Sequence, residues 1–194
     1  MTGASTGGPA LVVIGASLGG LAALPVVLGG LPRDFPLPIV IVQHRSAAAG
    51  SGALAQVLQR GCPLDLREAF DKDPLTGGRA YLAPADYHTL VDGDHLALST
   101  EARVQYARPS IDVLLHSAAE GFGARTIAVI LTGANRDGVR GARAIKQRGG
   151  AVIVQDPATA ESPVLPTAVL SAVAVDRVVP LAGIAAALLH MLKR

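Results

Sequence analysis

The chain has 194 residues, half of them apolar and only 16% charged, with a formal net charge of +2. It is too apolar for a disordered chain, and long enough for one domain with a substantial core. The single cysteine, Cys62, excludes an internal disulfide and fits a reducing cytoplasm. With 17 basic against 15 acidic residues, three Phe, three Tyr and no Trp, neither a basic stripe nor a stacking platform points to nucleic acid.

Residues 1–10 are small and polar and read as a flexible lead-in. LVVIG (11–15) is a continuous apolar run rich in β-branched residues, as expected of a strand buried on both faces. Leu21 to Leu28 then reads as a helix. No charged side chain precedes Arg33, so residues 11–31 are long enough to span a bilayer. Five glycines, Pro25 and the lack of a basic n-region favour a strand, turn and helix over a membrane or signal segment. IVIVQ (39–43) is a second buried strand, and a helix follows around Ala53–Arg60. LDLREA and RAYLA are strand-like and flank the turn-rich DKDPLTGG. HTLVDGDHLALS (88–99) alternates as a β-hairpin turning near Asp92-Gly93.

Ser110 is the expected N-cap of a helix with apolar residues at 111, 114, 115 and 118. TIAVILTG (126–133) and AVIVQ (151–155) are further buried strands, with a helix from about Gly138 to Gln147 between them. Helical segments near 166–173 and 181–192 enclose VDRVVPL, a last strand. Alternating strands and helices predict an α/β fold, a doubly wound, mostly parallel sheet flanked by helices, with the hairpin inserted midway. No linker marks a second domain, so 11–194 is expected to be one unit.

Open parallel sheets bind ligands beyond the carboxyl ends of their strands. The residues that follow the first three buried strands include Ser17, His44 and Asp137. Gly15-Ala16-Ser17-Leu18-Gly19 matches G-x-S-x-G, a sharp strand-to-helix turn that lifts a nucleophilic hydroxyl into reach of substrate. A dinucleotide fingerprint fails there, because Ser17 takes the place of the middle glycine and strand two ends in Gln43-His44 without a ribose-binding acid. No phosphate loop and no metal-ligand spacing are present, so neither cofactor nor metal is expected. His88, His95, His116 and His190 compete with His44, and Asp156 is a rival to Asp137. In acyl transfer Ser17 would attack, His44 would move the proton and Asp137 would hold the imidazole, with the Leu18 and Ala134 amides as oxyanion donors.

These residues lie within segments that resemble the catalytic domain of the chemotaxis protein-glutamate methylesterases (CheB type). VVIGASLGG, IVIVQH, RAYLAPADYH, RPSIDVLLHS and LTGANRDG occur in the family's order and extend over nearly the whole chain. The resemblance implies a Ser17–His44–Asp137 triad, hydrolysis of glutamyl methyl esters on cytoplasmic helices of chemoreceptors, and deamidation of receptor glutamines. Leu18 replaces the usual Thr, and Ala134 and Asn135 replace Met and Gly of the family pattern. The typical member also carries an N-terminal receiver domain, which ten residues cannot hold. A stand-alone or excised catalytic domain is therefore expected, with a separate receiver protein as a candidate regulator. Arg136, Arg140 and Arg143 share one predicted helix face, and Arg140 and Arg143 are candidates for steering an acidic receptor helix. An esterase or amidase for another acyl group, and an inactive binding module of the same fold, are the alternative readings.

Overall fold

The structure is a computed structural model describing residues 8, 10–45 and 52–193; the expected lead-in lies largely outside the described residues. Seven strands form one wholly parallel sheet: β1 (Leu11–Ala16), β2 (Ile39–Gln43), β3 (Asp65–Glu68), β4 (Arg79–Leu82), β7 (Thr126–Ile130), β8 (Ala151–Gln155) and β9 (Arg177–Val179). Their order is β3-β4-β2-β1-β7-β8-β9. The remaining strands, β5 (His88–Asp92) and β6 (His95–Ser99), make the separate antiparallel hairpin that the alternation predicts.

Every residue of β1 and β2 is buried, because helices cover both faces of the sheet. Alternate side chains go to opposite faces. Val12, Ile14 and Ala16 join a core closed by α1 (Gly20–Gly29), α2 (Ala53–Gln59) and α6 (Ile184–Met191). Leu11 and Val13 face a second core, closed by α3 (Ile111–Phe122), α4 (Val139–Gln147), α5 (Val164–Ala172) and Val91 and Leu96 of the hairpin. The apolar run 11–31 is thus divided between β1 and a ten-residue helix that continues through Pro25. Among the described residues no helix is long and apolar enough to cross a membrane.

From β1 the chain passes to β2 on one side, whereas β7 flanks β1 on the other. The strand order therefore reverses at β1, and a crevice opens at the carboxyl ends of β1 and β7. A Cβ on Gly15 would lie 2.4 Å from Ile111 Cγ2, so only glycine lets the start of α3 settle against β1 here. This contact brings the α3 N-terminus to the crevice.

Candidate active site

Ser17 directly follows β1 and is held by its backbone. Its N–H donates to the Thr132 carbonyl at 3.0 Å, and Thr132 Oγ1 donates to the Leu18 carbonyl at 2.8 Å. Gly19 then turns the chain with φ 85°, a left-handed conformation that glycine adopts without a Cβ penalty. Gly20 lies against Gln43, where a Cβ would stand 1.8 Å from Oε1. Gln43 Nε2 in turn donates to the carbonyls of Ser17 (2.8 Å) and His44 (2.9 Å), tying the Ser17 turn to the end of β2.

The structure brings Ser17, His44 and Asp137 together. His44 Nδ1 is 3.2 Å from Ser17 Oγ, and its Nε2 is 2.8 Å from Asp137 Oδ2. An ionised carboxylate only accepts, so Nε2 carries the proton and Nδ1 is left as the acceptor facing the hydroxyl. The His44 side chain is 12% exposed and the Asp137 side chain is fully buried. Asp137 sits at the N-terminus of α3. Its Oδ1 accepts from Ser110 Oγ and Asp112 N–H, both at 2.9 Å, and its Oδ2 from Ile111 N–H at 2.7 Å. Helix-terminal amides and their dipole favour a buried anion at this point.

Ser110 is therefore more than the cap that the sequence predicts. Its hydroxyl accepts from Val113 N–H at 3.3 Å while donating to Asp137, and its own N–H donates to His88 Nδ1 at 3.2 Å. His88 Nε2 donates to the Ala102 carbonyl at 3.1 Å, which makes His88 a buried strut. His95 and His116 pair with surface carboxylates, and Asp156 caps a short 3-10 turn through Ala158 N–H. Burial pushes the Cys62 thiol up, which disfavours a thiolate nucleophile. Among the described residues, no cluster of His, Cys, Asp or Glu could hold a metal.

The triad opens into a cleft of about 480 Å³, lined also by Arg45, Arg103, Gln105, Tyr106, Arg108 and Asn135. Arg45 pairs with Glu68, while Arg103 and Arg108 share Asp86. Tyr106 is 96% exposed at the tip of a tight turn, in which Gln105 and Tyr106 have φ 48° and 65°. Among the described residues neither the Leu18 nor the Ala134 N–H has a hydrogen-bond partner, so both remain available as donors. Arg140 and Arg143 do not line this cleft. Arg140 borders a separate, more apolar cavity of about 310 Å³ beside α3, and Arg143 donates to the Ala172 carbonyl at 3.4 Å. Such an arrangement has the parts that acyl transfer needs: a hydroxyl within reach of an imidazole, a carboxylate that fixes the imidazole tautomer, and free amides beside Ser17.

Comparison with known proteins identifies the family and the fold. A family model described as CheB methylesterase matches residues 12–188. A Leptospira interrogans protein assigned as a protein-glutamate methylesterase/protein-glutamine glutaminase is 43% identical over 175 residues, covering 90% of each chain. An Anaeromyxobacter dehalogenans protein of the same designation is 45% identical over 178 residues, covering 92% of this chain and 52% of that relative. The crystal structure of the Thermotoga maritima CheB methylesterase catalytic domain superposes with a TM-score of 0.91 at 34% identity, covering 95% of this chain and all of that one. The chain belongs to the CheB methylesterase family.

Proposed function

We propose that the chain hydrolyses methyl esters of glutamate side chains on the cytoplasmic helices of chemoreceptors, and deamidates receptor glutamines by the same acyl chemistry. The observation that carries this reading is the continuous chain of contacts Ser17–His44–Asp137 at a topological switch point, in a member of this family. Ser17 Oγ forms a bond to the ester carbonyl carbon as its proton passes to His44 Nδ1. The tetrahedral oxyanion faces the Leu18 and Ala134 amides. Collapse expels methoxide, which takes the proton from Nδ1 and leaves as methanol. Water then repeats the sequence on the acyl-enzyme, releasing glutamate and restoring Ser17. Glutamine follows the same course with ammonia as the leaving group. Asp137 stays ionised throughout, stabilising the imidazolium through Nε2–H.

Arg140 and Arg143 are steering charges in this reading. Because they lie away from the cleft, their influence acts through the long-range field and fades with salt. The test has two stages. A fluorophosphonate is expected to label Ser17 in the wild type and to fail in His44→Ala. Methylated receptor incubated with the wild type is expected to release methanol. Labelling without methanol release would favour an esterase for another acyl group, a reading to which Leu18, Ala134 and Asn135 lend support beside the nucleophile. No labelling would favour a binding module.

A further inference from the structure

Asn135 stands where the family pattern has glycine, and its side chain lines the cleft with Ser17 and His44. The amide is oriented from both ends. Its Oδ1 accepts from the Asp137 N–H at 3.2 Å, and its Nδ2 lies 3.0 Å from His44 Nδ1. Because Nδ1 has a single in-plane lone pair, the Asn135 amide and the Ser17 hydroxyl, at 3.0 and 3.2 Å, address the same acceptor.

That arrangement has a consequence during reaction. Once Nδ1 takes the serine proton it becomes a donor, and the Asn135 N–H loses its acceptor. At the same step, negative charge develops on the carbonyl oxygen attached through carbon to Ser17 Oγ, within the cleft that Asn135 also lines. We propose that Asn135 is a side-chain oxyanion donor, parked on His44 Nδ1 in the resting enzyme and transferred to the oxyanion as the imidazole is protonated. The Oδ1 anchor to Asp137 N–H keeps the amide aimed into the cleft, so transfer needs a small swing of one N–H. Donation realised only in the transition state lowers the barrier, whereas donation to the ground state would not. The return of the proton to the leaving group sends the amide back to Nδ1, and the cycle repeats in deacylation.

The proposal rests on Ser17 being the nucleophile, and its test separates the two. Hydrolysis of p-nitrophenyl acetate is measured for the wild type, Ser17→Ala, Asn135→Ala and Asn135→Gly, together with inhibition by a short alkyl boronic acid. The boronic acid adds to a serine oxygen and mimics the tetrahedral oxyanion. Both Asn135 variants are expected to lower kcat about 100-fold with KM within about twofold, and to weaken boronate inhibition by a similar factor. An unchanged or raised kcat, the second being the sign of a lock on His44, would overturn the proposal. So would a fall in kcat with boronate affinity intact, which marks mere positioning of the triad. Hydrolysis that survives undiminished in Ser17→Ala would instead remove Ser17 as the nucleophile, the reading on which the proposal rests. Unfolding midpoints for each variant, matched to the wild type, exclude misfolding as the cause.

Discussion

Ser110→Ala tests how the buried Asp137 is held. The hydroxyl makes two bonds at once, donating to Asp137 Oδ1 at 2.9 Å and accepting from Val113 N–H at 3.3 Å. Removing an N-cap hydroxyl costs about 1 kcal/mol, and removing a hydrogen bond to a charged group costs about 1.5–3 kcal/mol. The 3.3 Å capping bond is long, so its share falls at the low end of its range. Asp137 also keeps the Ile111 and Asp112 amides and His44, which limits the loss. The expected total is therefore about 2–3 kcal/mol, since one hydroxyl serves both bonds. It is read as a shift in the urea midpoint with the slope unchanged. Hydrolysis of a small ester should fall by about tenfold, the equivalent of about 1.4 kcal/mol in the barrier, because the carboxylate that orients His44 has lost one of its tethers. A stability loss below about 0.5 kcal/mol, the range of ordinary surface substitutions, would refute the reasoning. It would show that the α3 amides alone fix the carboxylate.

Three further outcomes are expected. Gly20→Ala would place a Cβ 1.8 Å from Gln43 Oε1 and 2.8 Å from Ala16 Cβ, so about 1–3 kcal/mol of stability should be lost; fluorophosphonate labelling of Ser17 should slow as Gln43 releases the Ser17 and His44 carbonyls. Burial raises the Asp112 carboxyl above the ordinary aspartate value, helped by the Asp137 charge and opposed by the Gly141 and Gly138 amides and Gln105. The native state therefore binds that proton more tightly than the unfolded chain, and the Asp112 contribution to stability declines as pH rises from about 4 through the raised value. Asp112→Asn removes this dependence, so urea midpoints compared across that window should show the variant gaining on the wild type as pH rises; a gain that shrinks would refute the assignment. Arg140→Glu with Arg143→Glu should slow turnover of methylated receptor at low salt and spare p-nitrophenyl acetate. Equal receptor turnover at low salt would end the steering proposal.

The strands were legible in the sequence because parallel strands buried on both faces are nearly continuous apolar runs. IVIVQ and AVIVQ correspond residue for residue to β2 and β8. The edge elements were less sharply bounded: the strand expected within VDRVVPL is only Arg177–Val179, whose residues are half-buried or exposed. Ser17, His44 and Asp137 could be singled out because each follows a buried strand, and in a parallel sheet all such positions share one edge. Ser110 was legible too, but only as a cap, since nothing local reveals that its hydroxyl would meet a carboxylate 27 residues away. Gln43 and His88 gave no separate signal, because their roles depend on the backbone groups that packing brings to them.

The sequence by itself determined the parallel sheet, its inserted hairpin and the edge where the chemistry collects, since these follow from apolar periodicity and glycine placement. Only the tertiary structure decided which nitrogen of His44 faces Ser17 and that the start of α3 holds Asp137. It also placed Arg140 and Arg143 away from the cleft and Asn135 within it. The physical reason is range. Burial patterns are written in neighbouring residues, whereas a hydrogen bond between side chains 91 residues apart, such as that of Asn135 with His44, exists only once both strands are in register.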